Sequence, residues 1–272
     1  MISYLSTFIK RMTMSPGFIF LVVITPILLG VFPNLYEGIA SPATLTALIS
    51  TLSLTVAIIS GWGNTLNLIK NSSIRVRLRT SGITDYMIIA MSLIPLLMLV
   101  VFAFLYLLII ISIFFSTGVI WNYYTPIVSG IPSAPYDTFA MSNIDWGSMF
   151  FGIITSILVS FSISFFVISF TNNQNRYNTI TWLYILALYF FGGASTPPSL
   201  IRGPEAITAI KVISFFIPNS YSNFMVADVM VTGHNVSFSY SDSDTIINLC
   251  ASYAFFAALT GLSVWNMKRW EF

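Results

Sequence analysis

Charge is the scarcest property of this chain: Asp, Glu, Lys and Arg make up 7% of its 272 residues, while 56% are hydrophobic. A soluble domain needs more polar surface than that, so the composition points to the bilayer as main solvent, with room for one membrane domain and none for a soluble catalytic domain beside it. The single cysteine, Cys250, leaves no disulfide framework and no Cys-based metal site. The single histidine, His234, gives no support to a haem ligated by paired histidines, a metal transporter or an intramembrane protease. No G-x-x-x-x-G-K-[ST] stretch occurs, so the chain has no P-loop of its own. Transporters coupled to protons or sodium usually bury an ionisable side chain at membrane depth; here Glu37 and Asp85 lie at the edges of apolar runs, and no run has Asp, Glu, Lys, Arg or His near its middle. The net charge of +2, with the cations confined to a few clusters, leaves no surface for nucleic acid.

What is abundant is long apolar sequence. Six runs, 17–36, 43–62, 87–115, 148–170, 177–196 and 246–267, each have roughly the 20 residues that an α-helix needs to cross the hydrocarbon. When the gaps are numbered alternately, Lys10, Arg11, Lys70, Arg75, Arg77, Arg79, Arg176, Lys268 and Arg269 fall on one side, and only Arg202 and Lys211 on the other. That asymmetry puts both termini in the cytoplasm of a multi-pass protein. The first run is too long for the apolar part of a secretory signal and lacks a small-x-small cleavage site, so it reads as a retained helix.

Residues 1–16 carry Ile2, Leu5, Phe8, Ile9 and Met12 at helical spacing with Lys10 and Arg11 off that face, the pattern of a short amphipathic helix in the interface; a frayed tail is the alternative. Pro16 and Gly17 then permit a sharp turn. Pro26 and Pro95 predict kinks in the first and third runs. The outer gap 116–147 has no Lys or Arg but contains Trp121, Tyr123, Tyr124, Tyr136 and Trp146, the composition either of an interfacial lid or of an irregular loop. The apolar stretch 206–217 is too short to span and ends at Pro218, as in a re-entrant or interfacial segment.

Between the second and third runs stand Lys70, Arg75, Arg77 and Arg79 within ten residues. One reading is topological, since such clusters set orientation and meet anionic headgroups. The other is a short amphipathic helix projecting from the membrane and docked into a partner, with Arg75 and Arg79 one turn apart on one face. The alternation of Ile74, Val76 and Leu78 with the arginines also fits a strand, so periodicity alone does not choose.

The order of parts, with the stretch Arg75-Val-Arg-Leu-Arg-Thr-Ser-Gly-Ile-Thr84 and the later Phe191-Gly192-Gly193-Ala-Ser-Thr-Pro197-Pro198, Pro204 and Phe216-Ile-Pro218-Asn-Ser-Tyr221, resembles the ABC-2 type permease, the membrane subunit of bacterial ATP-binding-cassette exporters. The resemblance covers essentially the whole chain. It implies one all-α polytopic domain, 1–272, of six transmembrane helices, with an amino-terminal interfacial helix (1–16), a cytoplasmic coupling segment (66–85) and an outer re-entrant segment (197–221) between helices five and six. One departure is that the coupling segment has only Lys, Arg, Asn and Ser where the family often carries acidic residues ahead of the leucine.

The resemblance further implies export of a hydrophobic or amphipathic substrate across the bacterial plasma membrane, by a dimer of this permease or of it and a paralogue, bound to two ABC ATPase subunits. The chain itself then holds no cofactor; ATP and Mg are bound by the ATPase. Arg75, Arg77, Leu78 and Arg79 are the expected ATPase contact, with Gly82 and Thr84 at the turn into the third span. Ser50, Ser53, Thr55, Asn64, Tyr184 and Tyr189 are candidates to line the substrate path, or else ordinary hydrogen bonds between helices. Gly192, Gly193, Pro197, Pro198, Pro204 and Pro218 shape the re-entrant turn. Two rivals are an ion-driven secondary transporter, which the lack of buried ionisable groups disfavours, and a non-transporting membrane subunit for assembly or immunity.

Overall fold

A computed structural model of the chain describes residues 2–35, 42–116, 146–193, 201, 206–231 and 242–267, and the regular structure among them is helical. Four helices are long and apolar enough to cross a membrane, and up to five if the bent pair at the amino terminus counts as one span. The chain is thus an all-α protein with the character of a membrane protein.

Helix α1 (Ile2–Thr13) buries Tyr4, Phe8 and Met12, one per turn, and exposes Lys10 and Arg11 in its last turn, where cations complement the helix dipole. The amphipathic pattern is therefore a helix and not a frayed tail. Its buried face meets α3 and α5, and the Tyr4 hydroxyl donates to the Ile88 carbonyl at 3.4 Å. Ser15 both closes α1, donating to Met12 O at 2.6 Å, and caps the next helix, accepting from Phe18 N at 3.3 Å, with Pro16 at its first position. The chain bends by 51° there.

Helix α2 (16–35) contains a π turn at Phe20–Ile24, and α3 (42–70) contains another at Ala57–Gly63. The two cross at Gly17, where an added Cβ would lie 2.6 Å from Gly61 N and 2.7 Å from Val56 O, so backbone meets backbone. Pro26 cannot donate to Val22 O, four residues back; the Tyr106 hydroxyl does so instead, at 2.6 Å. Around Pro95 the compensation is similar, because Trp62 Nε1 donates at 2.9 Å to Ser92 O, next to the carbonyl Pro95 leaves without its partner.

Helix α4 (Ser73–Thr80) is short; α5 (Asp85–Ser116) is the longest, and α6 (Trp146–Phe170), α7 (Gln174–Phe191), α8 (Thr208–Phe215), α9 (Pro218–Val231) and α10 (Asp242–Met267) follow. The apolar window of α3 is 94% buried, against 28% for α5 and 17% for α10, so α3 is the axis and the other two lie at the periphery. On α5 the outward stripe Ile94, Leu97, Met98, Val101, Leu105 and Ile109 recurs every three to four residues, as expected of a lipid-facing surface. Helix α7 fills 18 residues but opens with Gln174, Asn175, Arg176 and Asn178. It is not among the helices that satisfy length and apolarity together.

Helix α9 is buried from Pro218 to Ala227 although it opens with Pro-Asn-Ser-Tyr-Ser-Asn, and it packs on α3, α6 and α10. Its first turn holds the end of α8: Ser220 Oγ donates to Ser214 O at 2.7 Å and Tyr221 OH to Phe215 O at 2.9 Å. These bonds take up carbonyls that end a helix without intrahelical donors.

Candidate functional site

The basic segment is a helix and not a strand. Ser72 caps α4 by accepting from Ile74 N at 3.3 Å. At its other end Gly82 takes φ +80, with Gly82 N donating to Arg79 O at 2.9 Å and Ile83 N to Leu78 O at 3.0 Å. These two bonds form a Schellman stop, which requires the left-handed conformation that glycine adopts without strain. Thr84 then caps α5 by accepting from Met87 N at 3.4 Å.

Of the four residues expected to meet a partner, Arg75 and Arg79 turn their guanidinium groups toward Asp85, Arg75 half-buried and Arg79 still exposed along its flank. Both chelate Asp85: Arg75 Nε and Nη2 donate at 3.0 and 2.7 Å, Arg79 Nε at 3.3 Å, and Arg79 Nη2 to Oδ2. Asp85 is buried, and paired guanidinium forks make its burial tolerable. Leu78 is half-buried and packs on the core, whereas Val76 and Arg77 are exposed. The outer face of α4 is therefore Ser73, Val76, Arg77 and Thr80.

The same end of the bundle is cross-linked by contacts far apart in sequence. Lys70 Nζ, at the end of α3, donates to Ile168 O and Thr171 O at 2.7 Å each and to Asn172 Oδ1 at 3.4 Å, so a cation closes the last turn of α6. Gln174 at the start of α7 accepts from Asn67 Nδ2 at 2.7 Å and donates to Asn64 Oδ1 and, at 3.3 Å, to Asn178 Oδ1. Asn266 Nδ2 on α10 donates to Ser169 O at 2.7 Å. Sequence reading missed Lys70 in this role, with Gln174 and Asn67. Nothing local signals that a lysine will meet carbonyls about a hundred residues away.

A second polar cluster lies halfway along the helices. Asn219, in the first turn of α9, donates from Nδ2 to Ser160 Oγ at 2.9 Å and to Thr55 Oγ1 at 3.3 Å, while Oδ1 accepts from Tyr184 OH at 2.6 Å. Ser160 Oγ donates onward to Thr55 Oγ1 at 3.0 Å, and Ser156 O lies 3.3 Å from Asn219 Nδ2. One amide thus joins α3, α6, α7 and α9 at a depth where an unmade bond is costly.

Of the candidate path residues, the structure brings together only Thr55 and Tyr184. Ser53 is buried against Thr25, with 2.7 Å between hydroxyls. Ser50 donates to Thr46 O at 2.7 Å within its own helix. Asn64 belongs to the Gln174 cluster, and the Tyr189 ring sits edge-on to Phe190 with centroids 5.0 Å apart. Of the turn residues, Gly192 N donates to Leu188 O at 2.9 Å and Gly192 O accepts from Asn223 Nδ2 at 3.1 Å. Gly193 has φ +91 and faces Phe224, whose ring would be 2.6 Å from an added Cβ. Pro218 opens α9; Pro197, Pro198 and Pro204 lie outside the described residues, as does His234. Among the described residues no group of His, Cys, Asp or Glu could hold a metal ion.

No family model matches the chain, and no curated protein and no solved structure matches it.

Proposed function

We propose that the chain is the permease subunit of an ATP-driven exporter of the ABC-2 type, with six spans, both termini in the cytoplasm of a bacterial cell, a hydrophobic or amphipathic cargo, and two ATPase subunits bound to a pair of permeases. The observation that carries this reading is α4: a capped two-turn helix with an exposed outer face, set at the end of the bundle that holds most of the cations and clamped through Asp85 to the start of the longest span. A push on such a helix passes directly to α5, which is what coupling to a separate motor requires. Two further features support it. The first turn of α9 reaches the middles of α3, α6 and α7, as the inner end of a re-entrant hairpin would. Among the described side chains of the long helices no Asp, Glu, Lys, Arg or His stands at mid-depth to carry an ion-driven cycle.

The ATPase contact is assigned to the outer face of α4, with Val76 and Arg77 as its centre, and the inner pair Arg75 and Arg79 acts as the brace that transmits the movement. Capture of the tagged chain from the membranes of its host tests this. A co-purifying ABC ATPase is expected, and at matched membrane level Arg77→Glu or Val76→Asp lowers its yield at least tenfold. Arg75→Lys and Arg79→Lys leave the yield intact and lower substrate-stimulated hydrolysis instead, since lysine lacks the planar fork. Capture without any ATPase, or with undiminished yield in both outer-face variants, overturns the reading.

A further inference from the structure

The turn between α6 and α7, residues 171–176, stands at the same end of the bundle as α4 and is pinned from three sides. From the end of α3, Lys70 Nζ donates to Ile168 O and Thr171 O at 2.7 Å each and to Asn172 Oδ1 at 3.4 Å, which ties the turn to the foot of α4. From below, Thr171 Oγ1 donates to Val167 O at 2.7 Å. On the far side Asn173 caps α7 by accepting from Asn175 N at 2.8 Å, and Gln174 is held by Asn64 and Asn67. A three-residue connection with this many bonds is a frame and not a slack linker.

What the frame presents outward is polar and basic. Asn172, Asn173, Asn175 and Arg176 are exposed, as are Val76, Arg77 and Thr80 on α4. Asp85 is the single Asp or Glu among the described side chains, and it is buried and bound by Arg75 and Arg79, so neither Arg77 nor Arg176 has a carboxylate partner among the described residues. Two exposed guanidinium groups on fixed supports hold positive charge at set positions, and that attracts a surface of the opposite sign. The asparagines narrow the choice of surface. Their amides add donors and acceptors of fixed direction beside the charge, which a folded protein can match and a fluid headgroup layer cannot.

We propose that the turn at 172–176 and the outer face of α4 form one docking platform, and that it receives an acidic surface of the ATPase subunit. The inference rests on the exporter reading and extends its contact from one helix to two connections. It also gives movement a second route into the bundle. A load on Arg77 passes through Asp85 to α5, whereas a load on Arg176 passes into α7, which carries Tyr184 to the Asn219 cluster. Lys70, bonded across from α3, keeps the two patches in register.

Crosslinking and capture of the full chain in the membranes of its host test it. In a Cys250→Ser background, Thr80→Cys on α4 and Asn175→Cys on the turn are each treated with a short reagent that joins a thiol to an amine. Both side chains are exposed, so neither change disturbs the interior, and both variants are expected to give an adduct with the same ATPase polypeptide. At matched membrane level Arg176→Glu lowers the co-purified ATPase about tenfold, while Arg176→Lys, which keeps the charge, retains at least about half of it. An adduct from Thr80→Cys alone overturns the platform and leaves the exporter reading standing, as does undiminished capture with Arg176→Glu. Equal loss in the lysine and glutamate variants overturns the acidic surface assigned to the partner. Absence of any ATPase from both adducts and capture removes the exporter reading and the platform with it.

Discussion

Among the described residues Gly63 is the most crowded glycine: a Cβ there would lie 1.8 Å from Ser164 Oγ and 2.2 Å from Tyr177 OH. Those two oxygens are 3.0 Å apart, and Tyr177 OH donates to Ile59 O at 2.7 Å within the π turn of α3. Gly63→Ala is expected to cost about 1–3 kcal/mol through forced displacement of buried groups. In a Ser164→Ala, Tyr177→Phe background that cost should fall by at least half, because the clashing oxygens are gone; thermal unfolding in detergent of the four proteins measures it, and strict additivity would refute the crowding argument. The Asn219 hub has the opposite logic. Asn219→Leu keeps volume but removes the acceptor of the buried Tyr184 hydroxyl and the amide donor to Ser160 and Thr55, whose bond to each other remains, so a loss of about 2–3 kcal/mol is expected, larger than the loss of about 1 kcal/mol from Tyr184→Phe.

Among the elements, α4 is too short to be stable by itself, since helices of fewer than about 12 residues are marginal in water. Its caps and the clamp on Asp85 hold it. Asp85→Asn keeps the shape of the side chain and removes its charge, so the bonds from the two guanidinium groups weaken and α4 frays. Hydrogen exchange should then rise at least tenfold across 73–80, while amides of α5 beyond residue 92 keep their protection; unchanged exchange in α4 would mean that the caps alone suffice. The hairpin of α8 and α9 is held differently, by Ser220 and Tyr221 reaching back to the last carbonyls of α8, and it needs no charge.

For the whole molecule, the distribution of Lys and Arg predicts which end of the bundle lies in the cytoplasm. Cys250 is the only thiol and is exposed, so its replacement gives a background for single cysteines. An impermeant thiol reagent added outside intact cells is expected to label Cys introduced at Ser133 or Ser237 and to spare Cys at Ser72 or Asn173. The reverse pattern would invert the orientation.

Sequence alone pointed to the bilayer as solvent, to the helical class, to the amphipathic α1, and to a basic segment at 70–84 that ends at a glycine turn; that this segment is a helix was left to the structure. Each depends on composition or on residues within a few positions of one another, where periodicity and glycine or proline chemistry act locally. Only the tertiary structure decided that Arg75 and Arg79 bind Asp85 while Arg77 does not, because that depends on Asp85, which folds back from the next helix. It alone decided that α3 is the axis, that Lys70 closes the end of α6 and that Asn219 joins four helices. In a chain whose spans are apolar all round, hydrophobic periodicity no longer marks which face is buried, so the polar side chains select their partners only once the helices have packed.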